Sequence, residues 1–460
     1  MDLDVALGLP PNRVLVVGAG KSGLGVARFC ARRGAQVTVT DRLGADSLKE
    51  AIADPALRGV EWELCGHHEA SFCGADLIVV SPGVPDLPEL RAARARGVRV
   101  TGEIELAARF IEAPIVAVTG TNGKSTVTAL CGEIAKQTGR PTFAGGNLGT
   151  PLIECVGTEA ASARGIVVVE LSSFQLETCE RLHPRAAALL NLTPDHLDRY
   201  ADLEAYGAAK LRIGQKMDRS DALVVNADDG WLPKAVARAL PHARVLHYAL
   251  APRAGLSAFV DESELVLRRE GGDFRFPASE LQLIGRHNQS NALAAILLMS
   301  ESGLCTDDQL ARGLRAFSPL PHRMQLVGER RGVRFYDDSK ATNVDSVVAG
   351  LDGFPTPYAL IAGGRDKGGS YDPMVRAIRA GACRAVVLIG EAADRIADAL
   401  GDAAPLERAR TLEEAVARAS ARVSSGEAVV LSPACSSYDM FENYQHRGRA
   451  FVAAVEALPR

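Results

Sequence analysis

Ile115–Leu130 reads IVAVTGTNGKSTVTAL: a strand-length run of β-branched and apolar residues, a glycine turn, then a helical pattern. Gly120, Thr121, Asn122 and Gly123 make the turn, and Lys124, Ser125 and Thr126 open the helix. This is the order of a phosphate loop, although Gly120 and Gly123 lie closer together than the glycines of the Walker form. In such a loop backbone N–H groups surround phosphate oxygens, the lysine reaches the β and γ oxygens, and a hydroxyl at the helix start binds Mg2+. The spacing gives the first of these side-chain roles to Lys124 and the second to Ser125 or Thr126. A strand, a phosphate turn and a crossover helix also form the repeating unit of α/β proteins with parallel sheets.

Working outward, strand-length runs recur at Val14–Val17, Leu77–Val80, Ile166–Val169, Ala186–Leu190, Leu223–Val225, Ala359–Ile361, Ala385–Ile389 and Ala428–Leu431. Helical patterns at Ser125–Gln137, Leu203–Ile213 and Asn288–Ser302 separate many of them, which predicts an α/β chain throughout. A second glycine loop, VLVVGAGKSG, places Gly18, Gly20 and Gly23 between a strand and a helix, and Asp41 closes the next strand. That is a dinucleotide fingerprint: the glycines admit a pyrophosphate, and the acid holds a ribose or base. Ile166–Val169 delivers Glu170 to the ligand edge of the sheet as a candidate Mg2+ ligand. Ala186–Leu190 delivers Asn191 and the loop TPDHLD, where His196 reads as a metal or substrate ligand or as a structural residue. Motif grouping divides the chain into 1–102, 103–319 and 320–460, and shorter runs at 258–268 and 274–283 predict a small extra sheet on the flank of the central block.

The 460 residues suit about three domains, and 47% apolar with 23% charged residues is an ordinary globular composition. A net charge of −4 excludes a global basic field for nucleic acid, so phosphates must be gripped locally. The longest apolar stretch, Ala292–Met299, is too short to span a membrane. The first residues carry acids where a signal peptide has positive charge, and the nine cysteines form no C-x-x-C pair; both predict a reducing, cytoplasmic location. Cys65, His67, His68 and Cys73 fit no metal-ligand spacing and read as a surface loop.

GTNGKST at 120–126, GGNLGTP at 145–151, ELSSFQLE at 170–177 and NLTPDHLDRY at 191–200 together resemble the Mur ligase family. AAKLRI at 208–213, HNQSNALAA at 287–295, LPHR at 320–323, DDSKATN at 337–343 and LSPACSSYDMFENYQHRG at 431–448 extend the resemblance over all three blocks. It implies an N-terminal Rossmann-like domain for a UDP-sugar, a central P-loop ATPase-like domain, and a C-terminal Rossmann-like domain for an incoming amino acid. The implied partners are UDP-N-acetylmuramoyl-L-alanine, D-glutamate, ATP and two Mg2+ ions, with the chain acting as a monomer. The implied reaction moves the γ-phosphate to the alanyl carboxylate, after which the glutamate amine displaces phosphate to leave an amide.

Carried over residue by residue, the resemblance implies that Lys124 meets the transferring phosphoryl group while Ser125 or Thr126 and Glu170 hold one Mg2+. His196 and Lys210 hold the second, with Lys210 carbamylated by CO2; without the resemblance, Lys210 reads as a solvated helix lysine. Asn288, Asn291, Arg323 and Asp338 surround ATP. Lys340, Thr342, Lys367, Ser437 and Tyr444 surround glutamate. Ser22, Thr40, Asp41, Arg42, Ser81, Pro82 and Gly83 meet uracil and pyrophosphate, and Asn147, Ser172 and His196 the muramoyl-alanyl arm. Two residues depart from the family pattern: Tyr444 stands where Phe is expected, and Asp345 where Gly is. Two other readings stand beside this one. An NAD-dependent dehydrogenase accounts for Asp41 but leaves Lys124 and Glu170 without a role, and a non-catalytic nucleotide-binding regulator differs in releasing no phosphate.

Overall fold

A computed structural model describes residues 13–459 apart from Leu148, Leu197, Asp198, Ile284 and Lys367. Three sheets follow one another along the chain. The first, in spatial order, joins Glu61–Glu63, Gln36–Thr40, Arg13–Val17, Leu77–Val80 and Arg99–Gly102, all parallel. Its strand order reverses between Arg13–Val17 and Leu77–Val80, the crevice where open α/β sheets bind ligands. There Ser81 donates its backbone N–H to Val17 O at 2.9 Å and its hydroxyl to Gly18 O at 2.9 Å.

The central sheet has nine strands. Ile115–Thr119 lies between Ala186–Leu189 and Ile166–Glu170, with Thr142–Gly146 at one edge and Ala222–Asn226 and Arg244–Ala249 toward the other. These strands are parallel, and the inner four, Ile115–Thr119, Ile166–Glu170, Ala186–Leu189 and Ala222–Asn226, are buried on both faces and read as apolar runs without alternation. The extra sheet expected on the flank is an extension of this one. Ala258–Asp261 pairs parallel with Arg244–Ala249, and Glu264–Leu267 and Phe274–Pro277 add to it antiparallel. The third sheet orders Gln325–Arg330, Val333–Asp337, Ala428–Leu431, Tyr358–Gly363, Cys383–Ile389 and Leu406–Arg408, with only its first pair antiparallel.

One apolar cluster runs from the first sheet (Val14, Val16, Val39) through Ile104, Leu106 and Ile153 into the central sheet (Ala117, Val167, Leu189). The linker helix Glu103–Ala108 adds two buried acids that grip central turns from the side. Glu103 Oε1 accepts from Ile153 N at 2.7 Å, and Glu105 Oε2 accepts from Glu180 N and Arg181 N at 2.9 Å each. The third sheet carries apolar clusters of its own, drawn from residues 324–458. No helix among the described residues is long and apolar enough to cross a membrane.

The glycines of the first loop differ in function. A Cβ at Gly23 would run into the carbonyl oxygen of Gly18, whereas Gly20 faces open space at φ −76°. Gly23→Ala is therefore expected to lower the first unfolding midpoint in urea by the equivalent of about 1–3 kcal/mol, and Gly20→Ala to change it by less than about 0.5 kcal/mol. Parent-like unfolding of Gly23→Ala would contradict this packing of helix on loop.

Candidate active site

The central phosphate loop is held from both ends. Thr121 N donates to Asn191 O at 3.0 Å and Asn122 N to Asn191 Oδ1 at 2.7 Å, while Asn191 Nδ2 returns to Asn122 O at 3.1 Å. Gly123 caps the helix Lys124–Lys136 at φ +83°, where a Cβ would strike the side-chain oxygen of Asn291. Asn291 in turn donates to Asn288 Oδ1 at 3.1 Å, as expected of residues three apart on one helix face. Lys124 Nζ folds back over the loop to Gly120 O at 2.9 Å and Thr121 O at 2.8 Å.

Lys210 is the largest correction to a reading from pattern alone. It is 1% exposed, and its Nζ donates to the same Gly120 carbonyl at 2.8 Å and lies 4.4 Å from the Tyr206 ring centre. Burial pushes its pKa well below the ordinary lysine range; nearby Lys124 pushes the same way, and Asp195 and Glu170 oppose. A buried amine with so low a basicity is a nucleophile for CO2.

Glu170 ends its strand 2% exposed. Its Oε1 accepts from Asn147 Nδ2 at 2.7 Å, and its Oε2 is buried with no hydrogen-bond partner. A buried orphan carboxylate oxygen whose charge reaches Lys124, the residue before the buried Ser125 and Thr126, fits a hard cation such as Mg2+. Two residues on, Ser172 caps the helix Ser173–Leu176 in a capping box with Gln175, a pairing that S-x-x-Q in ELSSFQLE signals. His196 adopts φ +55°, its N–H bonded to Asp195 Oδ1 at 2.9 Å. Its ring packs 4.8 Å from Phe174 and 6.1 Å from Tyr206, the ring that Lys210 also meets.

The third sheet supplies the opposite wall. Asp338 accepts from Ser432 Oγ at 2.7 Å, and burial raises its pKa to about 7. Arg323 Nε is buried without a hydrogen-bond partner, and desolvation lowers the guanidinium's pKa against the pull of Glu170 and Asp338. Lys340 Nζ donates to Tyr444 OH at 3.2 Å and lies 4.9 Å from that ring's centre, so the tyrosine that replaces the expected phenylalanine gains a defined partner. Burial brings Lys340 down to about 8. Thr342 N donates to Lys340 O at 2.8 Å, Ser437 is buried, and Lys367 lies outside the described residues. Asp345 sits in the first turn of the helix Val344–Leu351, where the helix dipole favours an acid. With Asn122, Thr126, Asn288, Asn291 and Arg323 it lines a cavity of about 770 Å3 between the central and third sheets.

The first sheet divides its expected residues. Ser81, Pro82 and Gly83 line a smaller cavity of about 240 Å3 with Glu103, Phe174 and Arg199, at the seam with the central sheet. Ser22 is half-buried on the first helix and Arg42 is exposed. Asp41, expected to face a ribose, accepts from Ala19 N at 2.6 Å through one oxygen and from Leu43 N at 2.8 Å through the other. Thr40 is fully buried, its hydroxyl 2.8 Å from His67 Nδ1 and 3.2 Å from Gly66 O, so it turns inward and shapes the loop. Cys65, His67, His68 and Cys73 bring no three ligand atoms together among the described residues. Sequence reasoning missed Asn191 as the lock of the phosphate loop and Tyr206 beneath Lys210. Lys210 follows Tyr206 by four positions, a helical spacing that gave no sign of burial.

Three family profiles cover most of the chain: the Mur ligase MurD-like N-terminal domain over residues 12–102, the Mur ligase middle domain over 118–299, and the Mur ligase glutamate ligase domain over 322–435. A protein of Pelobacter propionicus is 46% identical, the match covering 98% of this chain and 100% of that one. Another, of Anaeromyxobacter dehalogenans, is 48% identical over 96% of this chain and 97% of its own. Among solved structures, a pseudomurein peptide ligase type C from Methanothermus fervidus superposes with a TM-score of 0.61 at 17% identity, covering 97% of this chain and 99% of that one. MurF ligase from Thermotoga maritima, in complex with ADP, gives 0.60 at 18%, covering 92% and 94%. The chain belongs to the Mur ligase family. Within it, both relatives bear the name UDP-N-acetylmuramoylalanine--D-glutamate ligase.

Two measurements probe the site. Glu170→Gln is expected to raise the Mg2+ concentration for half-maximal nucleotide turnover by at least about tenfold; an unchanged Mg2+ curve would remove Glu170 from the metal. As a cation for a carboxylate, Lys340 loses its proton as pH rises through about 8, so kcat/KM for an acidic amino acid should fall above that pH. Lys340→Arg should move the fall to higher pH, and a fall that stays in place would assign it to another group.

Proposed function

We propose that the chain joins D-glutamate to UDP-N-acetylmuramoyl-L-alanine in an ATP-dependent reaction, the activity for which its full-length relatives are named. One observation supports the chemistry most directly: the field of Glu170 reaches Lys124, Lys210, Arg323 and Lys340, basic side chains drawn from two sheets. Such a concentration of positive charge suits a polyphosphate and two carboxylate substrates, and it leaves a hydride-transfer reading without a purpose for these residues.

In this reading the loop from Gly120 to Thr126 cradles the ATP phosphates. Lys124 moves from the loop carbonyls to the β and γ oxygens. Asn288 and Asn291 hold the adenine side, and Arg323 and Asp338 close on the nucleotide from the third sheet. Mg2+ bound at Ser125 or Thr126 with Glu170, and a second ion at His196 with carbamylated Lys210, would neutralise phosphoryl charge. Asn147 and Ser172 orient the alanyl carboxylate so that one of its oxygens attacks the γ-phosphorus and ADP departs. Ser81, Pro82 and Gly83, with Ser22, Asp41 and Arg42 nearby, anchor the UDP end at a distance, so that remote binding energy positions the reacting end. Lys340, Thr342, Ser437 and Tyr444 hold glutamate, together with Lys367. Its amine attacks the acyl carbon, loses a proton, and phosphate leaves.

The test is ADP release measured with UDP-N-acetylmuramoyl-L-alanine and either D- or L-glutamate. Release dependent on the UDP-sugar and on D-glutamate is expected, with the L isomer at least about 100-fold poorer. Equal rates would overturn the substrate assignment. Release that needs neither substrate would overturn the ligase reading.

A further inference from the structure

The backbone of Asn122 is tied to Asn191 inside the central sheet, but its side chain turns the other way. Asn122 Oδ1 accepts from Ser346 Oγ at 2.8 Å and from Asn343 Nδ2 at 3.4 Å, both in the third block of the chain. Asn343 Nδ2 also lies 3.5 Å from Asp195 Oδ2, on the loop that carries His196. Through its own oxygen Asn343 caps the helix Val344–Leu351, accepting from Ser346 N at 2.8 Å. The cap therefore fixes Asn343 and Ser346 relative to each other, and the pair meets the phosphate loop as a unit.

This contact differs in kind from the seam between the first and central sheets. There a continuous apolar cluster and the two acids of the linker helix join the parts, whereas the third sheet keeps its apolar clusters to itself. Polar pairs of this sort, half-buried, contribute little net affinity but depend steeply on geometry. Asn343 follows Lys340 by three residues in the segment Ser339–Asn343, so any displacement of the glutamate wall also lifts Asn343 and Ser346 from Asn122.

We propose that Asn343 and Ser346 are positioning residues that latch the third sheet to the side chain of Asn122. The phosphate loop reaches its productive arrangement only when the glutamate-binding wall is in register with it. The inference rests on the reading of Gly120–Thr126 as the ATP loop. Ser346 lines the cavity shared with Asn288, Asn291 and Arg323, but its hydroxyl is spent on Asn122 Oδ1, so that hydroxyl should matter for turnover more than for capture of the nucleotide.

The experiment compares the full-length parent with Ser346→Ala, Ser346→Thr, Asn122→Ala and the Ser346→Ala/Asn122→Ala double variant. Three quantities are read: kcat for ADP release with all substrates, Kd for Mg2+ and a non-hydrolysable ATP analogue without glutamate, and the thermal midpoint. Ser346→Ala is expected to lower kcat about 5–10-fold, the size of one lost hydrogen bond, with Kd within about twofold and an unchanged midpoint. Ser346→Thr, which keeps the hydroxyl, should recover most of the loss, and the double variant should be no slower than the slower single one. The latch is overturned by parent-like kcat in Ser346→Ala, by losses that multiply in the double variant, or by a fall in kcat that only tracks a fall in the midpoint. A parent that binds no ATP analogue would instead overturn the functional reading, and this inference with it.

Discussion

The site is organised around one buried carboxylate that is only half satisfied. Glu170 has a partner for one oxygen and none for the other, and Lys124, Lys210, Arg323 and Lys340 all feel its charge. Lys124, Arg323 and Lys340 gather around it with Asp195 and Asp338 as the other acids whose fields reach them, and taking such cations out of water costs several kcal/mol each unless something negative accompanies them. The arrangement is thus incomplete without anions, and the substrates assigned to it are polyanionic. Everything that fixes Glu170 serves that end: the parallel pairing of Ile166–Glu170 with Ile115–Thr119 and Thr142–Gly146, the Asn147 amide, and the capped helix that follows.

Crowding at the Gly120 carbonyl carries the same logic one step further. Lys124 and Lys210 both donate to that oxygen, and two ammonium groups so placed repel in a poorly solvated setting. Lys124 is able to swing toward phosphate. Lys210 is enclosed by Tyr206 and the loop, and burial drives it toward the neutral amine. A lysine made less basic by burial is the form that reacts with CO2, so the burial that makes Lys210 costly as a cation is what the proposed carbamate would relieve.

Much of this was legible in the sequence because it is local. The β-branched run before Gly120, the Gly-Lys-Ser junction and the acid at the end of Ile166–Val169 each declare themselves within a few residues. Burial of Lys210 was not legible, since Gly120 is 90 residues away and the helix Leu203–Leu211 shows little amphipathic contrast. The same limit applies to Asp41, whose fingerprint position says nothing of the two backbone amides that occupy it, and to Ser346, which looks like any helix-start serine until the third sheet meets the loop. The runs at 258–268 and 274–283 were recognisable as strand-like, but the first is two strands, and hydrogen bonding to the neighbouring strand decides whether they make a new sheet or extend an old one.

The proposed chemistry depends on the chemical state of Lys210, and 13C NMR of the whole protein equilibrated with 13C-bicarbonate reads that state directly. A carbamate carbon resonance is predicted in the parent and absent from Lys210→Ala, with turnover in the parent falling when CO2 is removed and returning when it is restored. A fully active parent that shows no carbamate signal would contradict the account.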